Sequence, residues 1–193
     1  MKKWFFLFVV FTYSLFLYAN EPKKDIYSGG MLFYQPGYTM AHNPHQEITG
    51  LSNSIGGILR FYFWDYFTCG IYGGSQKTHY NTINSSNSYM NLGYGGVFAG
   101  GVLKTGKLRF VLSFFAGKGA ISNLHIEKQN NTILEDANLY KYGVFVYSPI
   151  FSADYMLTSK ISLTTQVICL TTQIPDEKHF INPTFQIGIL FNR

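Results

Sequence analysis

The stretch from Phe180 to Arg193, FINPTFQIGILFNR, constrains this chain more than any other. Alternate residues fall into two sets: Ile181, Phe185, Ile187, Ile189 and Phe191 are apolar, whereas Asn182, Thr184, Gln186, Gly188 and Asn192 are polar or small. That is the period-2 pattern of a strand with one apolar face. Left at a sheet edge in water, it would expose both unpaired ladder groups and an apolar stripe, a template for aggregation. It therefore needs a partner on each side and a non-aqueous medium against one face. A sheet closed on itself inside a bilayer meets both demands, because every backbone group is then paired and no edge remains.

The other end of the chain reads as an export signal. Met1-Lys2-Lys3, the apolar run from Trp4 to Leu17, and then Ala19 and Asn20 give the basic, apolar and small-residue order of a secretory signal peptide. The run is shorter than the roughly 20 residues of a spanning helix. We expect residues 1–19 to be a cleaved signal and residues 20–193 to form one barrel domain. Removing Lys2 and Lys3 lowers the formal charge from +5 to +3, and the remainder has no basic stripe to track phosphates, so nucleic acid is not expected as a partner.

Composition sharpens the choice of medium. Charged residues make up 13% and aromatics 18% of the chain; a soluble globular domain carries about 25% charged residues. The two cysteines, Cys69 and Cys169, fall on the outward face of non-neighbouring strands and are expected to be free thiols facing lipid.

From Tyr27 onward the chain divides into eight predicted strands separated alternately by short turns and longer polar segments. The strands cover about 27–38, 51–63, 67–80, 89–103, 107–121, 138–155, 160–173 and 180–193. In strand two, Ile55, Leu59, Phe61 and Phe63 are expected outward and Ser52, Ser54, Gly56, Arg60 and Tyr62 inward, with Ile58 as an exception. Strand four is assigned Leu92, Tyr94, Phe98 and Val102 outward and Asn91, Gly93, Gly95 and Ala99 inward. Pro36 is expected to end or bulge strand one, and Pro149 to bulge strand six and flip its parity. External loops are expected at 39–50, 81–88 and 122–137, with a short fourth through Pro175. Tyr66, Trp64, Tyr80, Tyr89, Tyr140 and Tyr155 lie near strand ends, where aromatic girdles meet headgroups. The inward set is Ser, Thr, Asn, Gln, Gly and Tyr, the filling of a packed polar lumen, with Lys and Glu mainly in loops and turns. The fold class is thus all-β, an eight-stranded antiparallel up-and-down transmembrane β-barrel.

This pattern resembles the small eight-stranded outer-membrane β-barrels, the porin-like superfamily, over essentially all of residues 20–193. The resemblance implies location in the bacterial outer membrane with both termini periplasmic, and a last strand read by the barrel-assembly machinery. Phe185, Ile187, Ile189 and Phe191 are the matching insertion signal, with Asn192 and Arg193 extending past the terminal aromatic that such strands usually have.

An eight-stranded barrel is just wide enough for side chains to fill. Gln76, Tyr62, Tyr72, Gln166, Gln186 and the arginines are the expected plug. Arg60 and Arg109 face inward near the turn end, and two unpaired guanidiniums there would be costly; Asp154 is the candidate acid, provided that a Pro149 bulge turns it inward. His42, His45 and Glu47 form a loose His-x-x-His-x-Glu set at the first loop, a candidate loop metal or ligand site; the spacing has no helix to fix it, and no metal or other cofactor is assigned. His79, His125 and His179 also fall in or beside loops. The nearest string to the His-x-Ser pair of lipid A deacylases is His125-Ile126-Glu127, which lacks the serine.

The function expected is therefore a non-enzymatic outer-membrane barrel with a plugged lumen and external loops in a structural or binding and adhesion role. It would be a monomer surrounded by outer-membrane lipid. The alternatives are a lipid-modifying enzyme of the lipid A deacylase or acyltransferase kind, and a narrow channel.

Overall fold

The computed structural model describes residues 26–42, 47–82, 85–130, 133–174 and 177–192. The expected signal segment 1–19, His45 and Pro175 lie outside these residues. Eight strands follow one another: β1 (Tyr27–His42), β2 (Glu47–Phe63), β3 (Phe67–Thr82), β4 (Ser85–Thr105), β5 (Leu108–Asn130), β6 (Ile133–Met156), β7 (Ile161–Ile174) and β8 (Glu177–Asn192). Each pairs antiparallel with its sequence neighbours, and β8 pairs with β1 to close the barrel. The fold class is the expected one.

At one end the strands are joined tightly. Trp64 and Asp65 both have positive φ, 53° and 60°, and Tyr66 N–H donates to Phe63 O at 3.3 Å, the geometry of a turn whose twist matches a hairpin. Gly106, at φ 59°, opens the two-residue turn between β4 and β5. Lys104 and Asp65 form an exposed ion pair at 3.5 Å across these turns.

At the other end the strands outrun expectation. The polar segments assigned to loops at 39–50, 81–88 and 122–137 are largely ladder: β1 continues to His42, β3 to Thr82 and β5 to Asn130, and their partners resume at Glu47, Ser85 and Ile133. The physical reason is that polar residues fall on both faces there: Thr39, Ser88 and Asn123 are buried inward, while Glu47, Asn87 and Glu127 are exposed. Burial still alternates, but polarity no longer reports it.

Inside and outside follow strict parity. Leu32, Ile55, Ile71, Leu112, Phe114, Val167, Phe185, Ile187, Ile189 and Phe191 are exposed around the outer wall, while Met31, Phe33, Ser54, Tyr72, Val111, Ser113, Phe115, Gln166, Ile168, Thr184, Gln186 and Leu190 beside them are buried. Three assignments need correction. The parity of β4 is the reverse of that expected: Leu92, Tyr94, Phe98 and Val102 point inward and are at most 8% exposed, with Val97 and Leu103 outside. Glycines occupy much of its outer face, so its large side chains fill the lumen. Tyr80 is likewise inward, its hydroxyl on Asn123 Oδ1 at 2.6 Å, and belongs to no girdle. The lumen is also more apolar than expected: Met31, Phe33, Ile58, Val111, Phe115, Ile150, Ile168, Leu170 and Leu190 are all buried in it.

Neither proline bulges its strand. The β1–β2 register passes through Pro36↔Asn53, and the β5–β6 register through Phe114↔Pro149, without a shift. Both prolines face outward, and what they interrupt is the ladder on their other side. The β1–β8 pairing skips Gln35 and Pro36, then Tyr38 and Thr39 opposite Pro183 and Asn182; the β6–β7 pairing skips Ser148 and Pro149. At the latter gap the Ser148 hydroxyl accepts the Cys169 N–H at 3.1 Å. Cys69 and Cys169 are free and half-buried on β3 and β7.

Candidate functional site

The chemistry of this molecule is concentrated in its lumen, in two layers. The layer nearer the turns is ionic. Parity turns Arg60 of β2, Arg109 of β5 and Asp154 of β6 inward, and Arg109 and Asp154 are direct cross-strand partners. Asp154 Oδ2 accepts Arg60 Nη1 at 3.2 Å and Arg109 Nε at 3.1 Å, all three residues being at most 1% exposed. Tyr62 OH donates to the same oxygen at 3.2 Å, and Thr164 Oγ1 donates to Oδ1 at 2.9 Å. One carboxylate therefore ties β6 to β2 across the lumen and to β5 and β7 beside it. It is inward because β6 never changes parity; the expected bulge plays no part.

Two guanidiniums share that single carboxylate, which leaves the layer with one excess positive charge. Aromatic faces and hydroxyls spread it. Arg109 Cζ sits 4.1 Å from the Tyr62 ring centroid and its Nη1 donates to Tyr27 OH at 2.9 Å; Tyr27 stacks on Tyr62 at 4.6 Å. Arg60 lies against Phe98 at 5.9 Å and donates to Ser152 Oγ at 3.4 Å. Such contacts stabilise a desolvated cation by about 2 kcal/mol each at most. Arg60 Nε and Arg109 Nη2 are buried without a protein partner.

The second layer is neutral. Gln35 Oε1 accepts from Tyr72 OH and Tyr94 OH, each at 3.1 Å, and from Gln186 Nε2. Gln35 Nε2 donates to Gln76 Oε1 at 3.2 Å, and Gln76 Nε2 passes the network to Ser52 Oγ at 2.8 Å and Asn182 Oδ1 at 2.6 Å. Asn182 reaches Thr39, whose hydroxyl shares a hydrogen bond with Thr78 at 2.6 Å. Phe33, Tyr72, Tyr94 and Phe115 pack beneath with centroids 5.1–6.0 Å apart. Gln166, 1% exposed, has neither amide atom paired within the protein.

The loop-end candidates are placed as follows. The backbone register sets His42 opposite Glu47 on β2 and opposite His179 on β8; Glu47 is exposed, and the side chains of His42 and His179 lie outside the described residues. Among the described residues no three His, Cys, Asp or Glu side chains are grouped to hold a metal. His79 faces out beside Tyr89. His125 stacks on Tyr80 and shares a hydrogen bond with its hydroxyl at 3.4 Å, whereas Glu127 accepts from Asn138 Nδ2 at 2.8 Å, so the two look toward different partners. Phe185, Ile187, Ile189 and Phe191 form an outward stripe on β8, 45–58% exposed. Sequence reading missed Thr164 and Tyr27 as members of the ionic layer, and misplaced Phe98; the signal available for the last was the run of glycines facing it on the outer side of β4.

No protein-family model matches the sequence, and no curated protein matches it significantly. Solved structures do. Neisserial surface protein A is 11% identical with a TM-score of 0.55, over 84% of this chain and 96% of that one. Ail, the attachment invasion locus protein of Yersinia pestis, is 12% identical with a TM-score of 0.48, over 89% and 100%. The N-terminal β-barrel domain of Pseudomonas aeruginosa OprF is 16% identical with a TM-score of 0.45, over 86% and 97%. The likeness to the Neisserial protein carries the fold: this chain has the architecture of a small outer-membrane barrel.

Proposed function

We propose that the chain is an integral outer-membrane barrel, exported by residues 1–19 and assembled through its β8 stripe, whose closed lumen is a structural strut and whose loop-end hairpins form an external binding surface. The observation that carries this reading is the inversion of an ordinary soluble protein: charge and amides are buried in the middle while leucine, isoleucine and phenylalanine ring the outside. In water that wall would drive aggregation; in lipid it is the favoured arrangement, and inward polar groups are then satisfied only by one another. Asp154, which accepts five hydrogen bonds, and Gln35, which accepts three and donates one, do this.

The binding surface is best served by β5 and β6, of 23 and 24 residues against 14 for β7. Their paired extension carries the exposed Lys128–Glu135 ion pair at 2.6 Å. Loops on a rigid scaffold are where recognition usually resides. The start of β1 and the end of β8 lie with the short turns, which in outer-membrane barrels is the periplasmic side. A role without catalysis fits the divergent partners of His125 and Glu127.

The test is heat-modifiability on a gel combined with membrane fractionation and planar-bilayer recording. The expected outcome is a folded band in the outer-membrane fraction that shifts on boiling, with no steady unitary conductance. A soluble product without a shift would overturn the membrane reading, and stable conductance would overturn the strut.

A further inference from the structure

We infer that one side of the barrel, the outer wall of β3 to β6 at the loop end, binds a phosphorylated lipid headgroup through Lys77, Lys118 and Lys141. The inference rests on the membrane reading above and specifies a site within it. Register places Lys77 of β3, Asn91 of β4, Ser122 of β5 and Lys141 of β6 side by side in one row. All four face outward by parity, and Lys77 and Lys141, like Lys118 on β5, are exposed. With strands roughly 4.8 Å apart, the two lysines that end the row stand about 14 Å apart, with an amide and a hydroxyl between them.

Depth along the strands picks out the headgroup region. Lys77 lies twelve residues beyond the turn residue Asp65, and Lys118 twelve beyond Gly106. A tilted strand climbs about 30 Å in that length, just past an apolar band of about 25 Å. Below the lysines the outer wall carries Ile71, Val97, Leu112, Phe114 and Phe151.

Among the described residues these ammonium groups form no ion pair. The exposed carboxylates of the β5–β6 extension, Glu127, Glu135 and Asp136, stand further out, where Glu135 holds Lys128, and Asp65 holds Lys104 at the opposite end. Lys77 and Lys118 instead lie against the outward rings of Tyr89 and Phe145, at 4.1 and 5.5 Å, which holds their stems to the wall. The outward faces of β7, β8, β1 and β2 have no lysine or arginine among the described residues. The charge is thus one-sided, which a solubilising surface has no reason to be. What selects a lipid over free phosphate is the wall beside: an open apolar hollow across β1 to β4, floored by Gly57, Gly73 and Gly95 and walled by Leu32, Leu59 and Ile71, borders the lysine face, and Gly95 is the direct cross-strand neighbour of Lys118. An acyl chain lying there brings its phosphate to the lysines.

The experiment offers protein in dodecyl maltoside an equimolar mixture of anionic phosphatidylglycerol and zwitterionic phosphatidylcholine and compares the lipids retained by native mass spectrometry. Three forms are used: the unaltered chain, K77Q/K118Q/K141Q, and K104Q/K107Q/K160Q at the turn end. The unaltered chain is expected to retain phosphatidylglycerol selectively, the first variant to lose at least about tenfold of that selectivity, and the second to keep it. Equal retention of the two lipids by the unaltered chain, an unchanged first variant, or equal losses in both variants would overturn the inference. Heat-modifiability of the same samples separates the failures: shifted bands with no selectivity sink this site alone, whereas no shift and a soluble product sink the barrel reading with it.

Discussion

The two polar layers of the lumen solve one problem in opposite ways. The ionic layer gathers its bonds on a single atom pair: Arg60, Arg109, Tyr62 and Thr164 all converge on Asp154. The amide layer distributes them, so that Gln35, Gln76 and Asn182 each donate and accept along a chain of neutral groups that Gln186 enters as a donor. Concentrated charge is strong and brittle, because removing a buried partner strands whatever it balanced. A neutral network loses only the desolvation of the donors it leaves behind.

Substitutions scale with that difference. Asp154→Ala strands two buried guanidiniums and is expected to destabilise by about 3–5 kcal/mol, read as a lowered urea midpoint of the barrel folded in lipid vesicles. A loss below about 1 kcal/mol would show that the knot is already hydrated or redundant, and would erase the contrast between layers. Gln35→Leu leaves Tyr72, Tyr94 and Gln186 without their shared acceptor, and about 1–3 kcal/mol is expected in the same assay. Should that loss equal the one at Asp154, the amide layer would be as brittle as the ionic one. Gln166→Leu is the smallest and sharpest case. Its amide has no protein partner to strand, so the change is expected to fall within about 0.5 kcal/mol of neutral or to stabilise; a large loss would mean that Gln166 belongs to the network after all.

Much of this architecture was legible because lipid on one side and a packed lumen on the other impose alternation on every residue of the wall. In β8, β5 and β7 the alternation alone sorts the faces. It failed at β4, where the rule that apolar means outward is wrong in a barrel whose lumen is itself partly apolar: Tyr94 and Phe98 are needed inside against Phe115 and Arg60, and Val97 suffices outside. It failed again at the loop end, where polar residues such as Thr39, Ser88 and Asn123 are buried inward, so that polarity loses its period while the ladder continues. Arg60 and Arg109 were nameable from charge and parity and Asp154 from charge alone, since the bulge expected to turn it inward does not exist; the hydroxyls of Thr164 and Tyr27 were not nameable. Threonine and tyrosine are unremarkable on either face, and only the register sets Thr164 beside Asp154.

The outward prolines have a consequence beyond their own strands. Pro36 and Pro183 thin the seam between β1 and β8, and Pro149 thins the seam between β6 and β7, while the ladder joining β7 to β8 runs unbroken from Ile161 to Thr172. The other seams pass through the barrel wall without such gaps. The last hairpin is therefore stitched internally and only tacked at its two margins. Among the hairpins of the wall it is the one that lifts away with the fewest backbone hydrogen bonds broken, a hinged gusset in an otherwise continuous sleeve.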